Sequence, residues 1–187
     1  MQNGENMQEE TVRDEFVPSS SYERVIYGIY RMPTVAEMLR VVSHVIGALA
    51  IYAYAWLLLM TLNDKGIIEL LRIILVTGAP FLVVSVLREW IGAPRPYDIY
   101  PFFEKKPKNK KGRSFPSRHV FSIVLIGFIY TTLSLWIGIG IIASALVLAV
   151  LRVLLGIHFI RDVVAGAAIG IVSGGIGIAV VGFLENV

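Results

Sequence analysis

Two histidines, one aspartate and four arginines are the residues of this chain best suited to chemistry. In chain order they are Arg88, Arg95, Arg118, His119, Arg152, His158 and Asp162. All lie at the ends of strongly apolar segments, where ionisable side chains are costly and are therefore candidates for function. Guanidinium groups bind oxyanions through charge-assisted hydrogen bonds, so this cluster predicts a site for a phosphate group.

The pair His158 and Asp162 suggests covalent catalysis. Residues four apart share one face of a continuous helical turn. A carboxylate that accepts a hydrogen bond from one imidazole nitrogen leaves the other nitrogen free to act as a nucleophile. His119 is then available as the acid that protonates a departing alkoxide.

A helix is predicted to begin at Ser114 and Pro116, because proline is well tolerated in a first helical turn. The backbone N–H groups of Ser117, Arg118 and His119 would then lack partners within the helix. Together with the helix dipole, such groups form an anion site. The residues near 117 are therefore expected to bind phosphate through the backbone.

Long apolar segments must position these residues. Hydrophobic residues make up 56% of the 187-residue chain and charged residues only 17%, against roughly 25% charged residues in soluble domains. A helix needs roughly 20 residues to cross a bilayer. Five segments qualify: residues 35–62, 67–90 and 116–136, a fourth from a turn at Gly138 and Gly140 to residue 156, and residues 159–184.

The predicted fold class is an all-α polytopic transmembrane helix bundle with about five spanning helices and an N-terminal interfacial helix. Residues 21–31 have one apolar face and are expected to lie among lipid headgroups. Residues 1–20 are polar and predicted to be disordered, which leaves residues 21–187 as the membrane domain. A capping box at Thr34 and Glu37 is expected to open the first spanning helix.

Alternation of the helices places all the candidate residues on one side of the membrane. In the last segment, Gly166, Gly170 and Gly174 recur every four residues and predict close packing against another helix. The chain has no cysteine, and no carboxylate cluster suited to magnesium is apparent. Neither a metal nor a cofactor is therefore expected.

Three blocks of sequence resemble the signature motifs of the type 2 phosphatidic acid phosphatase family, which also includes vanadium haloperoxidases. The blocks read R-E-W-I-G-A-P-R-P at residues 88–96, P-S-R-H at 116–119 and R-V-L-L-G-I-H-F-I-R-D at 152–162. Their order and internal spacing match the family, and the similarity covers residues 67–184.

The resemblance implies a role for each matching position. His158 would form a phosphohistidine, Asp162 would orient it, and His119 would be the general acid. The phosphate ligands would be Arg88, Arg95, Arg152 and the side chain of Ser117. Family members need no metal for phosphatase activity, and they commonly have six transmembrane helices.

Three positions depart from the family pattern. Arg88 replaces a lysine, which keeps the charge but changes the donor geometry. Arg118 replaces a glycine, and because a helical position does not require glycine, the backbone anion site should survive. Leu151 replaces a serine and removes one hydroxyl group.

The expected function is hydrolysis of a phosphomonoester or diphosphate of a membrane lipid. Phosphatidylglycerol phosphate, phosphatidic acid and undecaprenyl diphosphate present the same reacting group. The alternatives are a non-catalytic lipid-phosphate-binding or lipid-transport protein and a vanadate-dependent peroxidase. The expected partners are the substrate and membrane lipids, without nucleic acid, and homo-oligomers are possible. Because Lys and Arg concentrate on the side of the cluster, including residues 105–113, the site is predicted to face the cytoplasm.

Overall fold

The computed structural model describes residues 17–103 and 112–185. Within these residues, all regular secondary structure is α-helical. The helices are α1 (Ser21–Tyr30), α2 (Pro33–Lys65), α3 (Ile67–Ile91), α4 (Pro96–Ile99), α5 (Arg118–Thr131), α6 (Leu135–Leu154) and α7 (Ile160–Glu185). Helices α2, α3, α6 and α7 contain spans long and apolar enough to cross a membrane. The prediction of an all-α membrane bundle is confirmed.

Helix α5, the third of the five predicted spans, is shorter than expected. It has 14 residues and ends at Thr131, not near residue 136. It is also the most enclosed helix, because it packs mainly between α6 and α7 and also touches α2 and α3. Val120, Phe121 and Leu125 on this helix are at most 2% exposed. Helix α5 is therefore the centre of the bundle, and protein covers most of its length.

The three glycines of α7 lie against α5, as the spacing predicted. A Cβ atom at Gly166 would stand 2.5 Å from the carbonyl oxygen of Ser117, and one at Gly170 would stand 2.9 Å from that of Phe121. At Gly174 the added atom would meet the side chain of Phe128 at 2.5 Å. Because such distances leave no room for a side chain, the glycines allow α7 to approach α5 and fix the level at which they meet.

The predicted turn at Gly138 and Gly140 is wrong, since both residues lie inside α6. The chain turns at residues 132–134, between Thr131 and Leu135. A Cβ atom at Gly138 would lie 2.7 Å from the carbonyl oxygen of Gly127 on α5. Gly138 therefore serves close helix packing, a role that sequence alone does not distinguish from a turn.

The capping box also lies elsewhere than predicted. Helix α2 begins at Pro33 without a side-chain cap, and Glu37 forms an ion pair with Arg40. Ser20 and Glu23 form the capping box, at the start of α1. Residues 1–16, most of the segment predicted to be disordered, lie outside the described residues.

Helix α1 rests against the segment that joins α3 to α5. The ring of Tyr27 meets that of Phe102 at 5.2 Å between centroids, edge to face. Tyr30 lies 5.5 Å from the ring of Phe103. The amphipathic helix predicted at residues 21–31 is thus present as α1. Its aromatic residues pack against the end of the bundle that carries the charged cluster.

Candidate active site

The sequence-predicted residues come together where α3 and α6 end and where α5 and α7 begin. The charges of Arg88, Arg118, Arg152 and His158 all act on His119. The charge of Arg95 acts on Arg152 and on His158. Residues up to 74 positions apart in sequence therefore form one electropositive site, in which Asp162 is a buried acidic group.

His158 lies in the turn between α6 and α7 and is 2% exposed. Its Nδ1 atom is 3.3 Å from Oγ of Ser114 and 3.5 Å from Oδ2 of Asp162. Within the described part of the chain, no group forms a hydrogen bond with Nε2. Burial lowers the pKa of His158, although the hydrogen bond with Asp162 opposes this shift. The ring is consequently neutral near pH 7, which is the state that a nucleophilic role would require.

Asp162 ties three segments of the site together. Its Oδ2 atom accepts hydrogen bonds from Oγ of Ser114 at 2.5 Å and from the backbone N–H of Phe159 at 2.9 Å. Its backbone carbonyl accepts from the N–H of Ser117 at 2.9 Å. His158 precedes α7 and is not on it, so the expected helical pairing is replaced by a turn in which Asp162 bonds back to the residue after His158.

Ser114 is the functional residue that sequence reasoning missed. The sequence pattern predicts that Ser114 starts a helix, but α5 begins at Arg118, with Ser117 at the N-cap. Ser114 is fully buried, and its hydroxyl contacts both members of the His158–Asp162 pair. Its only signal in the sequence is its nearness to the P-S-R-H block.

The backbone anion site is smaller than predicted. The N–H of Ser117 is already bonded to Asp162. The N–H groups of Arg118 and His119, at the first two helical positions, have no carbonyl partner in the described part of the chain. These two N–H groups can bind an anion at the start of α5. Arg118, which stands at the family's glycine position, occupies an ordinary helical position, as expected.

Arg88 holds the loop that leads into α5. Its guanidinium group donates hydrogen bonds to the carbonyl oxygens of Arg113, Ser114 and Pro116. Arg88 is 6% exposed, so this buried charge is satisfied mainly by backbone dipoles. The structure gives Arg88 a positioning role, and a direct bond to phosphate stays a prediction.

Three other predicted ligands keep buried donors without partners. They are Nε of Arg95, Nε of Arg152 and Oγ of Ser117, and none forms a hydrogen bond within the described residues. A buried donor left unpaired costs about 1–3 kcal/mol. Oxygens of a bound anion can accept hydrogen bonds from donors of this kind, which is the property expected of a phosphate site.

A cavity of about 720 Å³ adjoins this site and runs between α2, α3 and α5. Arg118, His119 and Arg152 lie at one end. The guanidinium of Arg118 stands 5.7 Å from the centre of the Phe81 ring. Most of the remaining lining is apolar and includes residues from all three helices. A phosphate at the site would therefore have apolar space beside it.

Comparison with known proteins places the chain in a family. The sequence model of the PAP2 superfamily matches residues 69–185. The chain belongs to the PAP2 superfamily. The resemblance drawn from the three motifs is thereby confirmed, and the matched range contains every predicted site residue. A search of curated proteins found no match.

Two crystal structures share the fold of this PAP2 superfamily member. The first is a transmembrane PAP2-type phosphatidylglycerolphosphate phosphatase from Bacillus subtilis, with 24% identity and a TM-score of 0.61. That alignment covers 89% of this chain and 86% of the other. The second is LpxE from Aquifex aeolicus, with 22% identity, a TM-score of 0.59 and coverage of 81% and 93%. At these identities the likeness shows the fold.

Proposed function

We propose that the protein hydrolyses the phosphomonoester or diphosphate group of a membrane lipid through a phosphohistidine on His158. The observation that carries this proposal is the set of buried, unpartnered donors on Arg95, Arg152 and Ser117, beside an imidazole whose Nδ1 is held and whose Nε2 is free. Binding an anion requires only the donors. The imidazole of His158, oriented by Ser114 and Asp162, favours catalysis over a lipid-phosphate-binding or transport function, because binding alone does not need it.

The reaction begins when the phosphate oxygens bind Arg95, Arg152 and Ser117, with the α5 N-terminus nearby. Nε2 of His158 attacks phosphorus, and the bond from phosphorus to the leaving oxygen breaks. His119 gives its proton to that oxygen, which leaves as an alcohol or, from a diphosphate, as the lipid monophosphate. His119 then accepts a proton from water, whose oxygen attacks the phosphohistidine and releases inorganic phosphate and neutral His158.

The proposed metal independence rests on the cationic groups. Arg95 and Arg152, with Arg118 at the edge, would supply the positive charge that a divalent ion supplies in other phosphatases. In the described part of the chain, no cluster of three His, Cys, Asp or Glu side chains could hold a metal. Arginine keeps its charge at any working pH, so this electrostatic contribution requires no bound ion.

The cavity supports a membrane lipid as the substrate class. Since the space next to the phosphate site is mainly apolar and lies between membrane helices, it suits the lipid tail of the leaving group better than a sugar or nucleoside. Phosphatidylglycerol phosphate, phosphatidic acid and undecaprenyl diphosphate all fit this description. The phosphatidylglycerolphosphate phosphatase named above shares the fold and is consistent with the first of these substrates.

Phosphate release from a panel of these three lipids and a soluble aryl phosphate should test the proposal. We expect turnover of at least one lipid in excess EDTA, with inhibition by vanadate, which mimics a five-coordinate phosphorus. The control is the same assay after addition of magnesium. Binding of the lipids without release of phosphate would support the binding or transport alternative, and activity that requires magnesium would contradict the mechanism.

Replacement of Gly78 by leucine should test, on the same panel of substrates, whether the cavity binds the lipid tail. Gly78 lines the cavity, and a Cβ atom there meets nothing within 4 Å, so the substitution would fill space without a clash. We expect the ratio of lipid to aryl phosphate turnover to fall by about tenfold or more, because a few methylene groups in a pocket suffice for that discrimination. Gly175→Leu, on an exposed and equally open position of α7, is the matched control.

We further propose that the site faces the cytoplasm. Of the 11 Lys and Arg residues that the structure describes, only Lys65 and Arg72 belong to the opposite end of the bundle, and cytoplasmic loops carry an excess of these residues. Most of the basic run at residues 105–113 lies outside the described residues.

Cysteine labelling tests this orientation cleanly, because the natural chain has no cysteine. Asn109→Cys, in the stretch of sequence between Phe103 and Gly112, should resist a membrane-impermeant maleimide in intact cells and react after permeabilisation. Asn63→Cys, in the exposed end of α2 on the other side, is the matched asparagine and should react at once. The reverse pattern would establish the opposite orientation.

A further inference from the structure

Helix α1 brings a tyrosine next to the proposed catalytic pair. The ring of Tyr22 lies 6.0 Å from that of Phe159 and 6.3 Å from that of Tyr100, centroid to centroid. Phe159 follows His158 directly, and its N–H is bonded to Asp162. Tyr22 therefore packs on the turn that holds the two residues in register.

Two buried polar atoms in this region have no hydrogen bond among the described residues. They are the hydroxyl of Tyr22 and Oδ1 of Asp162. The closest charged group recorded for Oδ1 is Nε of Arg161, at 3.6 Å and without a hydrogen bond. Each of the two atoms is costly to bury alone, and the hydroxyl is a donor while the carboxylate oxygen is an acceptor.

The electrostatics indicate that Tyr22 is the donor. Burial raises the pKa of Tyr22, and the negative charge of Asp162 raises it further. The phenol therefore keeps its proton throughout the working pH range. Because the charge of Asp162 acts on Tyr22, the carboxylate lies within electrostatic reach of the phenol.

We infer that Tyr22 is a positioning residue of the His158–Asp162 pair, and that its hydroxyl is linked to Oδ1 of Asp162 by hydrogen bonds through one bridging water. This inference rests on the proposed function for its catalytic meaning. This link gives Oδ1 of Asp162 a hydrogen-bond partner. The other carboxylate oxygen, Oδ2, already contacts Ser114, Phe159 and His158. It also makes α1 a part of the active site and gives the helix a role beyond contact with the membrane.

The inference has a definite consequence for His158. A donor on Oδ1 withdraws charge from the carboxylate, so Asp162 stabilises a protonated His158 less. Loss of the donor should raise the pKa of His158. The other ionisable groups near the pair come from every neighbouring element. They are Arg88 on α3, Arg95 before α4, Tyr100 after α4, His119 on α5, Arg152 on α6 and Arg161 on α7. None of them changes in a Tyr22 variant.

The test is Tyr22→Phe, which keeps the ring contacts and removes only the hydroxyl. The chain has three histidines, so NMR of histidine-labelled protein in detergent can follow His158 directly and without any substrate. We expect its titration midpoint to rise by about half a pH unit. The matched control is Tyr130→Phe, which removes a tyrosine hydroxyl bonded to the carbonyl of Ala53 in the core and should leave the midpoint unchanged.

Kinetics give the second readout. For phosphate release from a short-chain phosphatidic acid in detergent, the acidic limb of kcat/KM reports the free enzyme and should move to higher pH in Tyr22→Phe. We expect a loss of about fivefold in kcat, the effect of one ordinary hydrogen bond. An unchanged His158 midpoint would overturn the inference whether or not the lipid is hydrolysed. A raised midpoint in a protein that releases no phosphate would support the contact and reject the proposed function instead.

Discussion

His158→Ala should lower the rate of phosphate release by about five to six orders of magnitude, the scale seen when a protease loses its nucleophile. The expectation follows from the free Nε2 atom of a buried, neutral imidazole beside the three unpartnered donors. Asp162 also holds the hydroxyl of Ser114, but no other imidazole among the described residues contacts a carboxylate. The measurement is release of phosphate from the lipid that the panel identifies.

Trapping of the intermediate separates loss of the nucleophile from loss of binding. Wild-type protein quenched with labelled substrate should carry acid-labile phosphate, and His158→Ala should carry none. Ile160→Ala, two residues further on and 59% exposed, is the control for disturbance of the turn and should behave like wild type. Retention of rapid turnover by His158→Ala would show that another residue attacks phosphorus.

Asp162→Asn should have the second largest effect, a loss of about four orders of magnitude by analogy with the aspartate of serine proteases. The carboxylate accepts hydrogen bonds from Ser114 and from the N–H of Phe159, and it contacts Nδ1 of His158. An amide offers one acceptor oxygen and places donors opposite donors. His158 would then lose the orientation that exposes Nε2.

Pre-steady-state kinetics locate this loss in one step. Formation of the phosphoenzyme should slow by the full amount, whereas binding of vanadate should change little, because the anion donors remain. Asp64→Asn makes the same chemical change at the exposed turn on the other side of the bundle and should leave the rate intact. A variant Asp162→Asn that forms phosphoenzyme at the normal rate would contradict the orienting role.

Sequence reasoning was most successful where a repeating pattern determines which face of a helix is buried. The spacing of Gly166, Gly170 and Gly174 predicted a tight helix contact, and all three glycines lie against α5. Apolar length likewise predicted the helices, and their alternation predicted that the charged ends meet. These properties depend on local geometry that is the same in any protein.

Sequence reasoning failed where a residue's partner is chosen by the tertiary fold. Nothing local in the sequence shows that the hydroxyl of Ser114 donates a hydrogen bond to a carboxylate 48 positions away. The sequence likewise does not show that Arg88 donates hydrogen bonds to backbone carbonyl oxygens. A glycine can allow a turn or a close helix contact. The position of α5 beside Gly138 shows that this glycine allows a close contact. The family motifs identified which residues belong together, and only the structure showed which of them bind one another.

The contact between Ser117 and α7 would also determine how deep a bound phosphate lies. Ser117 stands beside Asp162 and Gly166, inside the first two turns of α7, so α5 begins about one turn, or 5 Å, below the start of α7. A lipid phosphate that binds the N-terminus of α5 would lie deeper than the start of α7 by that distance. Local thinning of a bilayer costs only fractions of a kcal/mol per Å. The rate of lipid phosphate turnover should therefore be higher in thin, compliant membranes than in thick, ordered ones.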